Sequence, residues 1–379
     1  MSAPTRLEIS AAAPVRPPVD AVLAAVARRE KQGFDAAWWA DHLLHWFPPS
    51  IWTDDLTPQA AAQPSPHVWM DPFAMIAAAA GATERIRLGV AVTDTVRRHP
   101  AALAQTALTL DHITRGRFVL GVGTGEALNL APLDLRNDRP LARLDEALQV
   151  MRLLFSTPDE VDFAGDHITL RGAAVGLRPY GEVPPPIWVA AHRPRGLRLV
   201  GRLADGWLPV ATNVDRYREM WDVVRAAARA ADRPEGAVTP GGYVRVALAE
   251  DDETARRICV DSTLLRFITL TAPSESFTAQ GAEHPLGAGV FGLTRFLPTG
   301  LGRAEALALA DRVPGSVVLD TVVAGTPATV AAHLAAVAEA GARHLQVVNM
   351  TPLADPTRAA ASEALLGEAL TDLRRMRGE

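Results

Sequence analysis

Eight short apolar runs recur along the chain, and most are separated by segments whose apolar residues return every three or four positions. The candidate strands are Leu7 to Ser10, Ala36 to Ala40, Ile86 to Val92, Phe118 to Val122, Ile187 to Ala191, Trp207 to Val210, Tyr243 to Leu248 and Leu345 to Asn349. Short runs dominated by apolar residues are what parallel strands buried on both faces look like. Between them, Leu141, Leu144, Leu148, Met151 and Leu154 lie along one helical face. Thr326 before Pro327 reads as an N-cap followed by a first-turn proline, opening the Ala-rich helix ahead of the last strand. Repeated strand–helix alternation implies a parallel α/β sheet, and eight strands favour closure into a (β/α)8 TIM barrel over an open doubly wound sheet.

With 379 residues the chain is long for one ordinary domain but suits a large barrel carrying insertions. Three stretches exceed the minimal repeat: 42–69, rich in Pro and Trp; 156–186, with a short hairpin around Gly165; and 261–314. They are read as insertions within a single domain spanning 1–379, placed where long loops form pocket walls at the C-terminal rim.

Composition removes several chemistries. Lys31 is the sole lysine and sits in a polar helical stretch, so Schiff-base and pyridoxal mechanisms lack their lysine. The single cysteine, Cys259, has no intrachain partner and reads as a small buried apolar residue. No G-x-S-x-G elbow, H-E-x-x-H or H-x-H pattern occurs, so neither triad hydrolysis nor a metal site is expected. A net charge of −5 without a basic block argues against nucleic acid. Neither a leader-like N-terminus nor a run of about 20 apolar residues is present, giving the expectation of a cytoplasmic protein with no membrane span.

In a barrel, chemistry sits at the C-terminal ends of the strands. The second candidate strand runs into Asp41 and His42, with His45 and Trp46 close behind; the third runs through Ala91-Val92 into Thr93-Asp94; the fourth ends in Gly121-Val122-Gly123-Thr124-Gly125-Glu126-Ala127-Leu128-Asn129. The glycines at 121, 123 and 125 allow close backbone approach to a ligand, or else make a tight strand-to-helix turn; they match neither a dinucleotide fingerprint nor a Walker loop. His42 and Glu126 would converge at the mouth as proton donor and acceptor, against the plainer reading of hydrogen-bonded loop residues. Trp46 and Trp69 are the better candidates for a pocket wall, because Trp38 and Trp39, adjacent on one strand, face opposite sides.

These residues resemble the bacterial-luciferase-like flavin and deazaflavin oxidoreductases, and within them the branch using coenzyme F420. The resemblance is carried by Gly33-Phe34-Asp35, Trp39-Ala40-Asp41-His42, Val92-Thr93-Asp94 with Arg97-Arg98-His99-Pro100, the 121–129 loop, Ile187-Trp188-Val189-Ala190-Ala191-His192, Ala204-Asp205-Gly206-Trp207 and Glu283-His284-Pro285. Within that branch the pattern most resembles the phthiodiolone ketoreductases, and the 121–129 loop also resembles that of the F420-dependent glucose-6-phosphate dehydrogenases.

The resemblance implies a barrel holding the deazaflavin at the strand ends, lined by Asp41, Ala91, Val92, Gly125, Glu126, Asn129, Ala190 and Ala191. His192 and Arg193 would lie near the phosphate, where Arg193 reads equally as a solvated helix-start residue. It further implies a non-prolyl cis peptide between Ala91 and Val92, and a homodimer. The catalytic trio would be His42, Glu126 and Trp46, assisting hydride transfer between the ring and an alcohol, ketone or activated double bond. The alternatives are an FMN-dependent monooxygenase and a non-catalytic F420-binding protein. After the sixth strand Val210-Ala211-Thr212-Asn213 stands where the sugar-phosphate enzymes carry a Thr and a Lys, so a neutral or apolar hydroxyl or keto substrate is expected in place of a sugar phosphate.

Overall fold

The computed structural model describes residues 6–379. Eight parallel strands close into a barrel in the order β1 (Glu8–Ala12), β2 (Ala36–Trp39), β3 (Arg87–Asp94), β4 (Phe118–Gly123), β7 (Ile187–Val189), β8 (Gly206–Trp207), β9 (Thr239–Leu248) and β11 (His344–Asn349). Pairing of β8 with β9 and of β11 with both β9 and β1 completes the ring. Each strand overlaps one of the eight apolar runs. The hairpin expected around Gly165 is β5 (Val161–Ala164) against β6 (Thr169–Ala173), and the Thr326 hydroxyl accepts from Thr329 N–H at the head of helix Pro327–Glu339.

One strand has no counterpart in the sequence reading. β10 (Val323–Gly325) pairs with Val246 to Leu248 of β9, on the edge opposite β11 and beyond the short stretch paired with β8, extending the sheet outside the ring. At three residues it is too short to leave a periodic signal.

The lumen explains both the strand glycines and the split of the tryptophan pair. Trp38 points inward against Trp188, ring centroids 5.5 Å apart, while Trp39 packs outward among the helices. Two indoles at one level leave no room for side chains beside them. A Cβ at Gly89 would lie 2.4 Å from Trp38, and one at Gly206 2.3 Å from Trp188. Below them, Trp38 Nε1 donates to Ser10 Oγ, which also contacts the buried His344. The lumen is a packed floor, and ligand space begins above it.

A second core joins the 42–69 segment to the chain that follows β9. Phe47, Ile51 and Trp52 pack with Phe267, Phe277 and Phe296. Within this layer Cys259 is buried and its thiol pushed up to about 12 by that burial, in keeping with a packing residue. His284 is likewise enclosed, its Nδ1 accepting from Leu286 N–H. Among the described residues no helix is long and apolar enough to cross a membrane.

Candidate active site

Three strand ends build one corner of the barrel mouth. β2 delivers Asp41 and His42, β3 delivers Ala91 to Asp94, and β4 delivers Glu126 and the short helix Ala127–Leu130 that carries Asn129. Between Val90 and Thr93 the pairing of β3 with β4 slips, and the Ala91–Val92 peptide is cis, as the resemblance implied. Ala91 and Val92 therefore turn toward the lumen, where with Ala190 they cover the cluster around Trp38 and Trp188. Ala191 faces the other way, into the barrel–helix core, and its carbonyl accepts from Trp207 Nε1.

The glycines of the β4 loop answer mainly to this bulge. A Cβ on Gly121 would sit 2.1 Å from the Val90 carbonyl oxygen, and one on Gly123 3.0 Å from Val92 Cγ2. Only Gly125, with φ +86°, meets the conformational demand of a turn. Gly121→Ala should lower stability by about 1–3 kcal/mol through overpacking against backbone, read as a lower urea midpoint with an unchanged slope.

Asp41 is buried and fully engaged. Its carboxylate accepts from Thr93 Oγ1 at 2.6 Å and Arg98 at 2.6 Å, and pairs with Arg97 at 3.1 Å. Arg97 also binds Asp94 through Nε at 2.5 Å and the Asp41 carbonyl at 2.9 Å. This network ties the end of β2 to the end of β3 and so fixes where His42 emerges. Arg97 and Arg98 were recognised in the sequence only as part of a motif, and no role was assigned to them. Their signal, two cations directly after a strand that ends in Asp, acquires meaning only with Asp41, more than fifty residues away.

His42 is held by Asn129. Leu43 N–H donates to Asn129 Oδ1 at 3.0 Å. A backbone N–H can only donate, so this contact fixes the orientation of the amide and leaves Nδ2 to donate to His42 Nδ1 at 2.9 Å. Nδ1 therefore keeps its lone pair, and the neutral ring carries its proton on Nε2. Burial, reinforced by the charge of Arg97, lowers the His42 pKa to about 4. Burial raises Glu126 to about 8. At neutral pH the pair is a neutral imidazole and a protonated acid, with Glu126 Oε2 3.7 Å from His42 Nδ1. Two groups pushed to opposite sides of pH 7 by one environment form a recognisable acid–base arrangement.

Aromatic rings close the corner. Trp69 lies 4.9 Å from the His42 ring and Trp46 6.0 Å, edge to face. Trp69 Nε1 is a buried donor without a protein acceptor. His45 stacks on Trp69, and its Nδ1 accepts from Phe47 N–H, which makes it part of the loop's packing.

His192 and Arg193 follow β7. His192 Nε2 accepts from Val210 N–H, and burial lowers its pKa to about 4. Arg193 grips Glu275 through both terminal nitrogens, at 2.7 and 3.0 Å. One residue is thus neutral and the other already paired, so neither brings a free cation to an anion.

A family model described as "Luciferase-like monooxygenase" matches residues 1–344. The chain is 34% identical over 340 residues to the phthiodiolone/phenolphthiodiolone dimycocerosates ketoreductase of Mycobacterium tuberculosis, covering 88% of each. It is 34% identical over 232 residues to an F420-dependent glucose-6-phosphate dehydrogenase of Kineococcus radiotolerans, covering 60% of this chain and 63% of that one. Among solved structures it is similar to an F420-dependent secondary alcohol dehydrogenase in complex with an F420-acetone adduct, with a TM-score of 0.74 at 21% identity over 97% of this chain and 99% of the other. At that identity the likeness carries the barrel fold alone.

Proposed function

The chain belongs to the luciferase-like monooxygenase family, and from that premise we propose that it is a coenzyme F420-dependent oxidoreductase acting on the alcohol or carbonyl group, or an activated double bond, of an organic substrate. The observation that carries this reading is the partly buried His42–Asn129–Glu126 corner, with its imidazole fixed as the Nε2–H tautomer. The residues present also fit a flat heteroaromatic ring. Ala91, Val92 and Ala190 offer an apolar floor over the lumen indoles, and Trp69 Nε1 supplies a buried donor that lacks an acceptor. When bound, the coenzyme supplies or takes up a hydride in a two-electron step.

In this reading Gly125, Glu126 and Asn129 border the ring on the β4 side and Ala190 on the β7 side, while Ala191, turned into the barrel–helix core, fixes the end of β7 through Trp207, and Asp41 acts by holding the β2–β3 junction in register. His42 donates a hydrogen bond from Nε2 to the substrate oxygen and stabilises the negative charge that develops there as the carbon is reduced. A neutral imidazole suits this task. Glu126 holds the proton that the corner needs, and Trp46 with Trp69 walls the reacting face and excludes water.

A pH dependence follows with a definite sign. Burial raises the Glu126 pKa, so its proton-bearing form persists up to pH about 8 and is lost as the pH rises through that value. Carbonyl reduction should therefore hold through neutral pH and fall about tenfold per unit beyond it. Glu126→Gln, which cannot ionise, should turn over slowly and lack this limb. An alkaline limb identical in both proteins would remove Glu126 from the proton transfer.

A further inference from the structure

Beside the His42 corner, at the C-terminal ends of β7, β8 and β9, lies a cavity of about 420 Å³. Its charged lining is Arg193, Arg216, Arg245, Glu275 and Asp320. Arg193 and Glu275 neutralise each other. Arg216, in the first turn of helix Val214–Ala230, and Arg245, an inward residue of β9, make no ion pair and no side-chain hydrogen bond among the described residues. Arg245 rests over the Tyr243 ring, and its Nε is buried without an acceptor. Asp320 faces the same space at more than salt-bridge distance from both cations; burial raises its pKa and the charge of Arg216 opposes that rise.

The remaining wall is apolar, built from Met220, Pro273, Phe291 and Leu293. Leu293 belongs to the short helix Gly292–Arg295, which packs against helix Ala127–Leu130, the element that carries Asn129. The cavity thus adjoins the corner where His42 is held.

We propose that this cavity takes the acidic end of the organic substrate, a carboxylate or a phosphate ester, with Arg216 and Arg245 on the anion and the carbon skeleton along Phe291 and Leu293. Two guanidiniums without an ion-pair partner, in a partly buried pocket lined by three arginines against two carboxyl groups, suit an anion, and a planar fork suits a carboxylate or phosphate bidentately. The assignment rests on the oxidoreductase reading above and narrows it. It also replaces the expectation of a neutral substrate, since cations are supplied near strand six after all, by Arg216 and by Arg245 on the neighbouring strand.

The experiment compares oxo acids from 4-oxopentanoate to 6-oxoheptanoate with their methyl esters, using reduced F420 and the full chain, in the wild type, Arg216→Gln and Arg245→Met. Inorganic phosphate is titrated calorimetrically into the same three proteins, and the affinity for F420 is measured separately. The wild type should prefer at least one acid over its ester tenfold or more in kcat/KM. Each substitution should cut that preference at least tenfold through KM, weaken phosphate binding by a similar factor, and leave the F420 Kd within about twofold. Esters used as well as acids, or no phosphate binding by the wild type, would overturn the assignment. So would variants that lose affinity for F420, because the anion would then be the coenzyme's own. If the wild type binds phosphate in an Arg245-dependent way but ignores F420, the oxidoreductase reading fails while the anion site stands.

Discussion

His42→Ala is expected to reduce carbonyl reduction by about 10²–10³-fold, the range found when a preorganised donor to a developing oxyanion is removed. Coenzyme affinity should change little, because the ring floor is made by Ala91, Val92 and Ala190 and the histidine stands beside it. Single-turnover kinetics with reduced F420 separate the two effects. His42→Gln restores a donor to the pocket without the imidazole and should recover part of the loss. Wild-type turnover in His42→Ala would mean that substrate oxygen is stabilised elsewhere.

Asp41→Asn is expected to be the most damaging substitution for stability. The side chain keeps its volume but loses the charge facing two guanidiniums, one of them almost wholly buried. Breaking a buried pair from one side costs about 3–5 kcal/mol, because the remaining charge is desolvated without compensation. The loss should fall toward the lower figure, since Asp94 still holds Arg97. Urea unfolding measures it directly, and a loss under about 1 kcal/mol would show that the network is dispensable to the fold. Activity should fall as well, since the same contacts set the exit of β2.

The barrel was legible because its strands are buried on both faces. Phe118 to Val122 carries no polar residue, and Ile86 to Val92 only Arg87 near its start, where it pairs with Glu8. Position after a strand end also located His42, Glu126 and Asn129, which do meet in one corner. What could not be read is pairing across long separations. Asn129 reads from its loop as a cofactor-lining residue, and that its amide bridges Leu43 and His42 is not visible there. Arg193 looked free, and its partner Glu275 lies 82 residues away. Gly121 and Gly123 suggested a ligand cradle, yet the space they leave is taken by the neighbouring strand. Arg245 did have a visible signal, a lone cation inside an otherwise apolar strand from Tyr243 to Leu248. Such a residue must face a polar cavity or a partner, and here it faces a cavity.

In the proposed function the corner at His42 and Glu126 serves a deazaflavin hydride carrier. The most direct test titrates the protein with F420 and, in parallel, with FMN, following the fluorescence of tryptophans that include Trp46 and Trp69 beside His42. Saturable quenching by F420, with FMN at least a hundredfold weaker and no oxygen consumed with reduced flavin, is the predicted result. Preferential binding of FMN with flavin-dependent oxygen uptake would contradict it.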